Sequence, residues 1–545
     1  MKDKLITIIC AILVAGTFGC EGFLDTKPAD EISDELISKD VAKLEMVLMN
    51  AYQDLYGGEG FGYRGLIGMQ LYLDLRGSDV VSVDVGTGWD YQYIYQYNAT
   101  VTEASGAASY FWNYFYQEIR QLNTVLKYID DAPGSDDVRK RVKGEALALR
   151  AYCYFCLAQL YQQTYVGNEE LKNVILRTEP VDPADVNMKR ASSRDVYDLI
   201  RADLSGAIDL LEPAGGSRSM HINRNIAQAM LAKVSMVTNE WTVAETMASQ
   251  SRQGFGIMEA TDYLKGFSLN PYMNDENNPE WMWYLPQTVT TSVGDATPMA
   301  SWGNRNRSSI KWETDMVFAN EELLALYEPG DIRFSQFWQR NDRVNPATGE
   351  NYWTSNKYSE FFNGPFTSSN SMSAGGRKIN PDYTGTEPGA EEIFNMLSDN
   401  AIPATYIGQL NLIRAADLLL IEAEAKARQQ GKESQALALL NELRVKRNAS
   451  TLTGLTGTAL VDEIVRERRR ELYGEGTCLF DILRTKQGLV RSTAHSTRVN
   501  FPAGDYRFIS QIPSGEFTYN KALDINLDQN PVSGTAIPAN MTTGK

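Results

Sequence analysis

The sequence predicts a mainly α fold: a superhelix of TPR-like helix pairs carrying a large loop-rich, aromatic-rich irregular lobe and a few short strands. Three observations carry this expectation. Apolar residues recur at helical spacing up to about residue 253 and again from about residue 408. Residues 256–405 between them are rich in Gly, Pro, Asn and aromatic residues, and keep helical periodicity only over Asn320–Tyr327. Ala423, Ala427, Ala436 and Ala438 gather around Gly431, where small side chains let two paired helices approach closely, as in tetratricopeptide hairpins.

The elements follow in order. Lys2 and Lys4 precede an apolar run from Leu5 to Ala15, and Thr17-Phe18-Gly19-Cys20 comes next. A positive start, a short apolar core and a small residue before the junction describe a secretory signal over residues 1–19. The run is too short to span a bilayer. The cysteine at the junction resembles the lipobox of bacterial lipoproteins, which implies cleavage before Cys20 and its acylation. One acyl chain anchors a protein marginally, whereas two or more make attachment durable. Residues 20–40 then read as anchor and linker.

Within the body, Val41–Tyr56 places Leu44, Val47, Leu48 and Tyr52 on one helix face. Gly57–Gly65 reads as a loop, and mixed turn and strand-like sequence runs to about Thr102. Tyr110–Ile129 is an amphipathic helix stopped by Asp130-Asp-Ala-Pro-Gly134, and Val138–Tyr165 is a second, long one. Ser193 opens a third with a polar cap, and Val196, Leu199, Ile200, Leu204, Ile208 and Leu211 form its stripe. Asn223–Val237 and Thr242–Gln253 make a short pair. After the irregular lobe come Gly408–Gln430, Glu433–Arg447 and Thr458–Tyr473. From Gly488 the pattern turns to loops, and residues 531–545 read as a disordered tail behind a single domain over 41–530.

Several chemistries are excluded or disfavoured. The net charge of −17, with no basic stripe, repels phosphates and argues against nucleic acid. Cys153, Cys156 and Cys478 are too few for a disulfide scaffold, and Cys153-x-x-Cys156 lies inside an apolar helix as buried small residues. Gly60-x-Gly62-x-x-Gly65 matches a dinucleotide fingerprint in letters only, because it follows a helix and opens no βαβ unit. His221 and His495 lie far apart with no metal-ligand spacing, and Asn274–Asn278 lacks the EF-hand order, so no metal and no cofactor is expected. Glu422 and Glu424, two apart, cannot act together on one helix face. Glu467 and Glu471, four apart beside Arg466, Arg468 and Arg470, form an ionic face that is solvated or packs against a helix.

A set of motifs in order resembles the SusD/RagB family of outer-membrane nutrient-binding lipoproteins. Cys20-Glu-Gly-Phe-Leu-Asp-Thr-Lys-Pro28 resembles its post-anchor motif, and Leu149-Arg-Ala-Tyr-Cys-Tyr-Phe155 its Leu-Arg-Ala-x-x-Tyr-Phe helix. Arg414-Ala-Ala-Asp417 through Glu422-Ala-Glu424-Ala425 is similar to its Arg-x-x-Glu/Asp-x-x-Leu-x-x-Ala-Glu-Ala signature. Asn441–Arg444, Glu467–Glu471, Phe480–Arg484, Ile512-Pro513 and Gln529-Asn530-Pro531 follow. Thr477-Cys478 stands where the family usually has Arg after Glu-Gly, so a local ion pair is expected to be missing. The resemblance implies a SusD-like superhelix and a TonB-dependent, SusC-like outer-membrane transporter as partner. It also implies a glycan or other nutrient oligomer as ligand, and attachment to outer-membrane lipid through acylated Cys20.

Aromatic surface is the remaining signal. Trp89, Tyr91, Tyr93, Tyr95 and Tyr97 partly alternate as in a strand, and Trp281, Trp283, Tyr284, Trp302, Trp312, Trp338, Tyr352 and Trp353 crowd the irregular lobe. Flat rings pack on the C–H faces of sugars at low entropic cost, although large aromatics are also usually buried. The expected ligand site holds Trp89 and one or more of Trp281, Trp283 and Trp302, with Asp74 or Asp79 accepting hydroxyl hydrogen bonds. The functional expectation is a non-catalytic lipoprotein on the outer membrane, facing the exterior, that captures oligosaccharides for the transporter. The alternatives are a secreted glycoside hydrolase, which needs two carboxylates across a cleft, and a helical-repeat adaptor for protein.

Overall fold

The computed structural model describes residues 40–56, 65–84, 90–180, 187–264, 267, 278–286, 315–345, 348–355, 357, 409–491, 493 and 495–533. Cys20, the Gly60-x-Gly62 stretch, Trp89, Asn274, Trp302 and Trp312 lie outside them.

Helices form a continuous stack. α1 (Val41–Asp54) packs on α3 (Gly106–Tyr128), and α3 packs on α4 (Asp136–Tyr161). The series runs on through α5 (Ser193–Leu210), α6 (Arg224–Val237) and α7 (Trp241–Ser251), each against its predecessor. α7 then packs on α8 (Ala415–Ala427), and α8 carries both α9 (Glu433–Lys446) and α10 (Gly457–Glu471). The irregular lobe is thus an excursion from an array that closes behind it. Ala244, Ala248, Ala416, Ala423 and Ala427 are all buried in the two helices that meet at this seam.

Local signals set the starts. Asp40 accepts from the Lys43 N–H at the head of α1, and Ser192 with Asp195 forms a reciprocal capping box on α5. α3 begins at Gly106, earlier than its apolar stripe, because Ser105 accepts from the Ala108 N–H. Cys153 and Cys156 are buried free thiols in α4, and burial pushes Cys156 up to about 12. They fill space there.

Three sequence expectations are corrected. The stretch before Thr102 contains α2 (Gly65–Leu75), every residue of which is buried. A helix apolar all round has no stripe, so periodicity could not reveal it. Residues Asp90–Tyr95 form a short helix in place of a strand-like alternation. The helix expected from Gly408 begins only at Ala415, since β6 (Gln409–Arg414) precedes it and pairs antiparallel with β2 (Trp281–Pro286). That partner lies far upstream, beyond the reach of a local pattern.

The lobe also carries a four-stranded antiparallel sheet in the order β1-β3-β5-β4, from Val80–Asp84, Asp315–Ala319, Asn351–Ser355 and Phe337–Val344. Beyond Gly488, read as loop, β7 (Leu489–Arg491) and β8 (Val499–Phe501) form a small hairpin. The ionic face of α10 packs inward: Glu467, Arg468, Arg470 and Glu471 are all buried, which selects helix packing over solvation.

Candidate functional site

One end of the four-stranded sheet gathers the chain's aromatic segments. β1 and β3 run antiparallel with Asp84 opposite Asp315. Residues facing each other in such a ladder have Cα atoms about 4.5–5.5 Å apart. The chain leaves β1 at Asp84 into the segment ending at Trp89, and enters β3 at Asp315 from the segment holding Trp302 and Trp312. Both segments therefore attach at the same sheet end.

The helix Asp90–Tyr95 continues directly from Trp89 and is fixed from below. The Tyr95 hydroxyl lies 2.6 Å from His495 Nδ1, and Asn320, just after β3, donates to His495 Nε2 at 3.0 Å. Asn320 Nδ2 also donates to the Ser78 carbonyl, so Nε2 is the accepting nitrogen and Nδ1 carries the proton. Burial, with the Arg491 guanidinium nearby, pushes His495 down to about 3. A neutral imidazole thus ties the Trp89 helix to the end of β3. Arg491 adds hydrogen bonds to the Tyr95, Leu75 and Gly77 carbonyls.

Above these anchors the helix presents polar groups and one ring. Tyr91, Tyr95 and Tyr97 are buried, while Tyr93 is 41% exposed. Amides run beside it: Gln92 Nε2 donates to Ser82 Oγ at 3.3 Å, Gln96 Nε2 to Gln92 Oε1 at 3.1 Å, and Asn98 Nδ2 to Gln96 Oε1 at 3.1 Å. Each amide spends one N–H in this row and retains a second. Tyr97 closes the row with φ of 64°. Its hydroxyl donates to the Arg76 carbonyl and its ring meets Phe501 edge-on at 5.0 Å, which hold it there. Past Asn98 the surface opens into a cleft of about 420 Å³ lined by Arg498, Asn500, Tyr506 and Arg507 among others.

Residues 22–236 match the SusD-like family model described as starch-binding associating with outer membrane, and residues 269–532 match that of the SusD family. The chain belongs to the SusD family. A SusD-like protein of Formosa agariphila is 24% identical to it over 507 residues, 90% of this chain and 92% of the relative. A SusD-like carbohydrate binding protein from Bacteroides vulgatus superposes with a TM-score of 0.69 at 22% identity, over 89% of this chain and 97% of its own. A laminarin binding SusD-like protein does so with a TM-score of 0.63 at 23% identity, over 90% and 99%. At these identities the structural likeness speaks for the fold.

Within this SusD-family chain the expected site residues separate. Trp281 and Trp283 have no exposed surface, and Trp283 Nε1 donates to the Met220 carbonyl while its ring meets Tyr152 edge-on at 5.3 Å. They are core rings of the β2–β6 joint and offer no face to a sugar. Asp74 accepts from the Gly476 N–H at 2.9 Å, and burial pushes its carboxyl well up. Asp79 is buried against Arg469, whose Nε lies 3.0 Å away. Asp74 ties the Gly476 turn to α2 and Asp79 ties α10 to the segment after it, so neither is placed for a ligand hydroxyl. The reason is shared: both lie in or beside all-buried α2, whose course the sequence concealed. Trp89 and Trp302 are outside the described residues, and only their points of attachment can be placed.

Tyr93, Gln92, Gln96 and Asn98 are the surface groups that the sequence did not single out as a site, since four tyrosines spaced by two suggested a strand. Among the described residues no group of three metal-ligating side chains converges, and no helix is long and apolar enough to cross a membrane. Cys478 packs on Gly77 and beside Ser78.

Proposed function

We propose that this chain is a non-catalytic cell-surface lipoprotein that captures oligosaccharides and delivers them to a TonB-dependent, SusC-like transporter in the outer membrane. The observation that carries the ligand half is the Asp84–Asp315 register, which attaches the Trp89 and Trp302 segments at one sheet end beside exposed Tyr93 and its amides. Rings supply flat apolar contact to sugar C–H faces, and amides donate to and accept from hydroxyls. The carbohydrate-binding and laminarin-binding neighbours support the same ligand class. Asp74 and Asp79 are spent on Gly476 and Arg469, so they do not offer a carboxylate pair for hydrolysis.

Anchoring rests on the Lys2–Cys20 signal, and the transporter on family membership. Calorimetry of a neutral glycan panel tests the ligand half. Trp89→Ala should weaken the bound glycan about tenfold with the circular-dichroism spectrum unchanged. Unchanged affinity would remove Trp89 from the site. Pull-down of the tagged lipoprotein from its native membrane tests the partner half, and should enrich a TonB-dependent transporter.

A further inference from the structure

The cleft beyond Asn98 has a charge unlike the rest of the molecule. The chain carries 69 acidic and 52 basic residues, yet this cleft is lined by Arg498 and Arg507 and by no carboxylate. Asp505, which precedes the lining residue Tyr506, is buried and fully engaged. Its two oxygens accept from Arg507 Nε at 2.7 Å and Arg507 Nη2 at 2.6 Å. That fork fixes the Arg507 guanidinium flat over the Phe501 ring, 3.6 Å from its centroid, and leaves Nη1 without a hydrogen bond among the described residues. Arg498 is exposed, and no side-chain hydrogen bond or ion pair holds it among the described residues. The pair Arg507–Asp505 is neutral in sum, so Arg498 gives the cleft one uncompensated positive charge. Asn98 and Asn500 add exposed amides at its walls.

The cleft is continuous with the proposed capture face. The amide row starts at Ser82 on β1, follows the helix that Trp89 precedes, and ends at the cleft wall in Asn98. The Asn98 N–H donates to the Tyr93 carbonyl at 3.1 Å, so the exposed ring and the cleft wall lie within reach of one short oligosaccharide.

We infer that the cleft binds an anionic substituent, a carboxylate or a sulfate ester, on the same oligosaccharide whose other rings lie along Tyr93 and the amide row. The inference rests on the capture reading and narrows its ligand to acidic glycans. Arg498 supplies the charge, the fixed Arg507 Nη1 an oriented donor, and the amides donors to neighbouring oxygens.

The test is calorimetry of wild type, Arg498→Gln, Arg498→Lys and Tyr93→Ala with four probes: tetragalacturonate, a sulfated carrageenan tetrasaccharide, maltotetraose and laminaritetraose. At least one anionic probe should bind about tenfold tighter than the neutral ones. Arg498→Gln should abolish that advantage and Arg498→Lys keep part of it. Added salt should weaken only the anionic probe. Failure of both anionic probes to bind, equal affinity for neutral probes, or unchanged anionic affinity in Arg498→Gln overturns the inference. A neutral probe that binds and is weakened by Tyr93→Ala leaves capture standing without it. Absence of binding by all four counts against both.

Discussion

Arg414 at the end of β6 and Glu471 at the end of α10 meet at 2.8 Å, with 1% and 0% of their side chains exposed. Neither is a simple pair. Arg414 also reaches Glu280 and Glu475, and Glu471 also holds Arg447 at 2.9 Å and Arg333 at 3.0 Å. Lys357 joins Glu475 at 2.6 Å from the lobe side. This network fastens the excursion between α7 and α8 to the helices that follow it. Removing one member leaves its partners charged and desolvated.

Arg414→Met should therefore destabilise the folded chain by about 3–5 kcal/mol. Urea unfolding of the two proteins reads this directly. A loss below about 1 kcal/mol would show that the network is not what fastens the lobe.

Acid should loosen the same region. Burial alone would raise Glu424 and Glu467, but Arg484 for the first and Arg333 for the second more than offset it, and each is held down at about 2. Folded values below the unfolded value of 4.5 give stability that is present above that pH and lost as pH falls toward 2. A fall of two units or so amounts to about 3 kcal/mol for each group. Thermal melts should drop steeply between these pH values, and Glu424→Gln should flatten the drop.

Glu118 on α3 works in the opposite sense. It is wholly buried, neither oxygen has a hydrogen-bond partner among the described residues, and burial, with Asp54 nearby, pushes it up to about 9. The folded chain therefore holds a proton that the unfolded chain releases above 4.5, and stability drains as pH rises toward 9. Glu118→Gln should remove this slope, which approaches about 1 kcal/mol per pH unit, and should be the more stable protein at pH 8. Melts at pH 5 and pH 8 that differ equally in the two proteins would refute it.

Tyr93→Ala should leave stability within about 1 kcal/mol, because the residue is 41% exposed and its side chain makes no hydrogen bond among the described residues. It should weaken the bound glycan roughly tenfold. Equal affinity would place the sugar elsewhere.

Cys20→Ala should abolish radiolabelled-lipid incorporation and release the chain from the membrane fraction. Retained labelling would refute the lipobox reading.

Much of the helical array was legible from apolar stripes and polar caps, as in α1, α3 and α5. α8, buried at every residue but Lys426, was legible instead through the small residues around Gly431. α2, buried on every side, was not, and β6 runs into α8 with no Gly or Pro to mark the change. The family's motifs were legible as sequence, but the ionic face holding Glu471 stayed open between solvation and helix packing, and nothing in the spacing showed that Arg414, Glu471 and Arg484 are interior. For the site, the sequence weighted tryptophans by type, and two of them proved to be core. Arg498 and Asn98 form one cleft wall from opposite ends of the chain, and no spacing rule joins them.

The seam between α7 and α8 has an evolutionary consequence. The chain leaves the array at Ser251 and rejoins it at Ala415, while Ala244 and Ala423 bury themselves on either side as if nothing intervened. The entropy of closing such an excursion grows only with the logarithm of its length, about 0.6 kcal/mol for each doubling. Insertions and replacements in this lobe are therefore nearly free in folding terms, provided the Arg414 fastening survives. A lineage built on this plan can rewrite one excursion while the array keeps its shape.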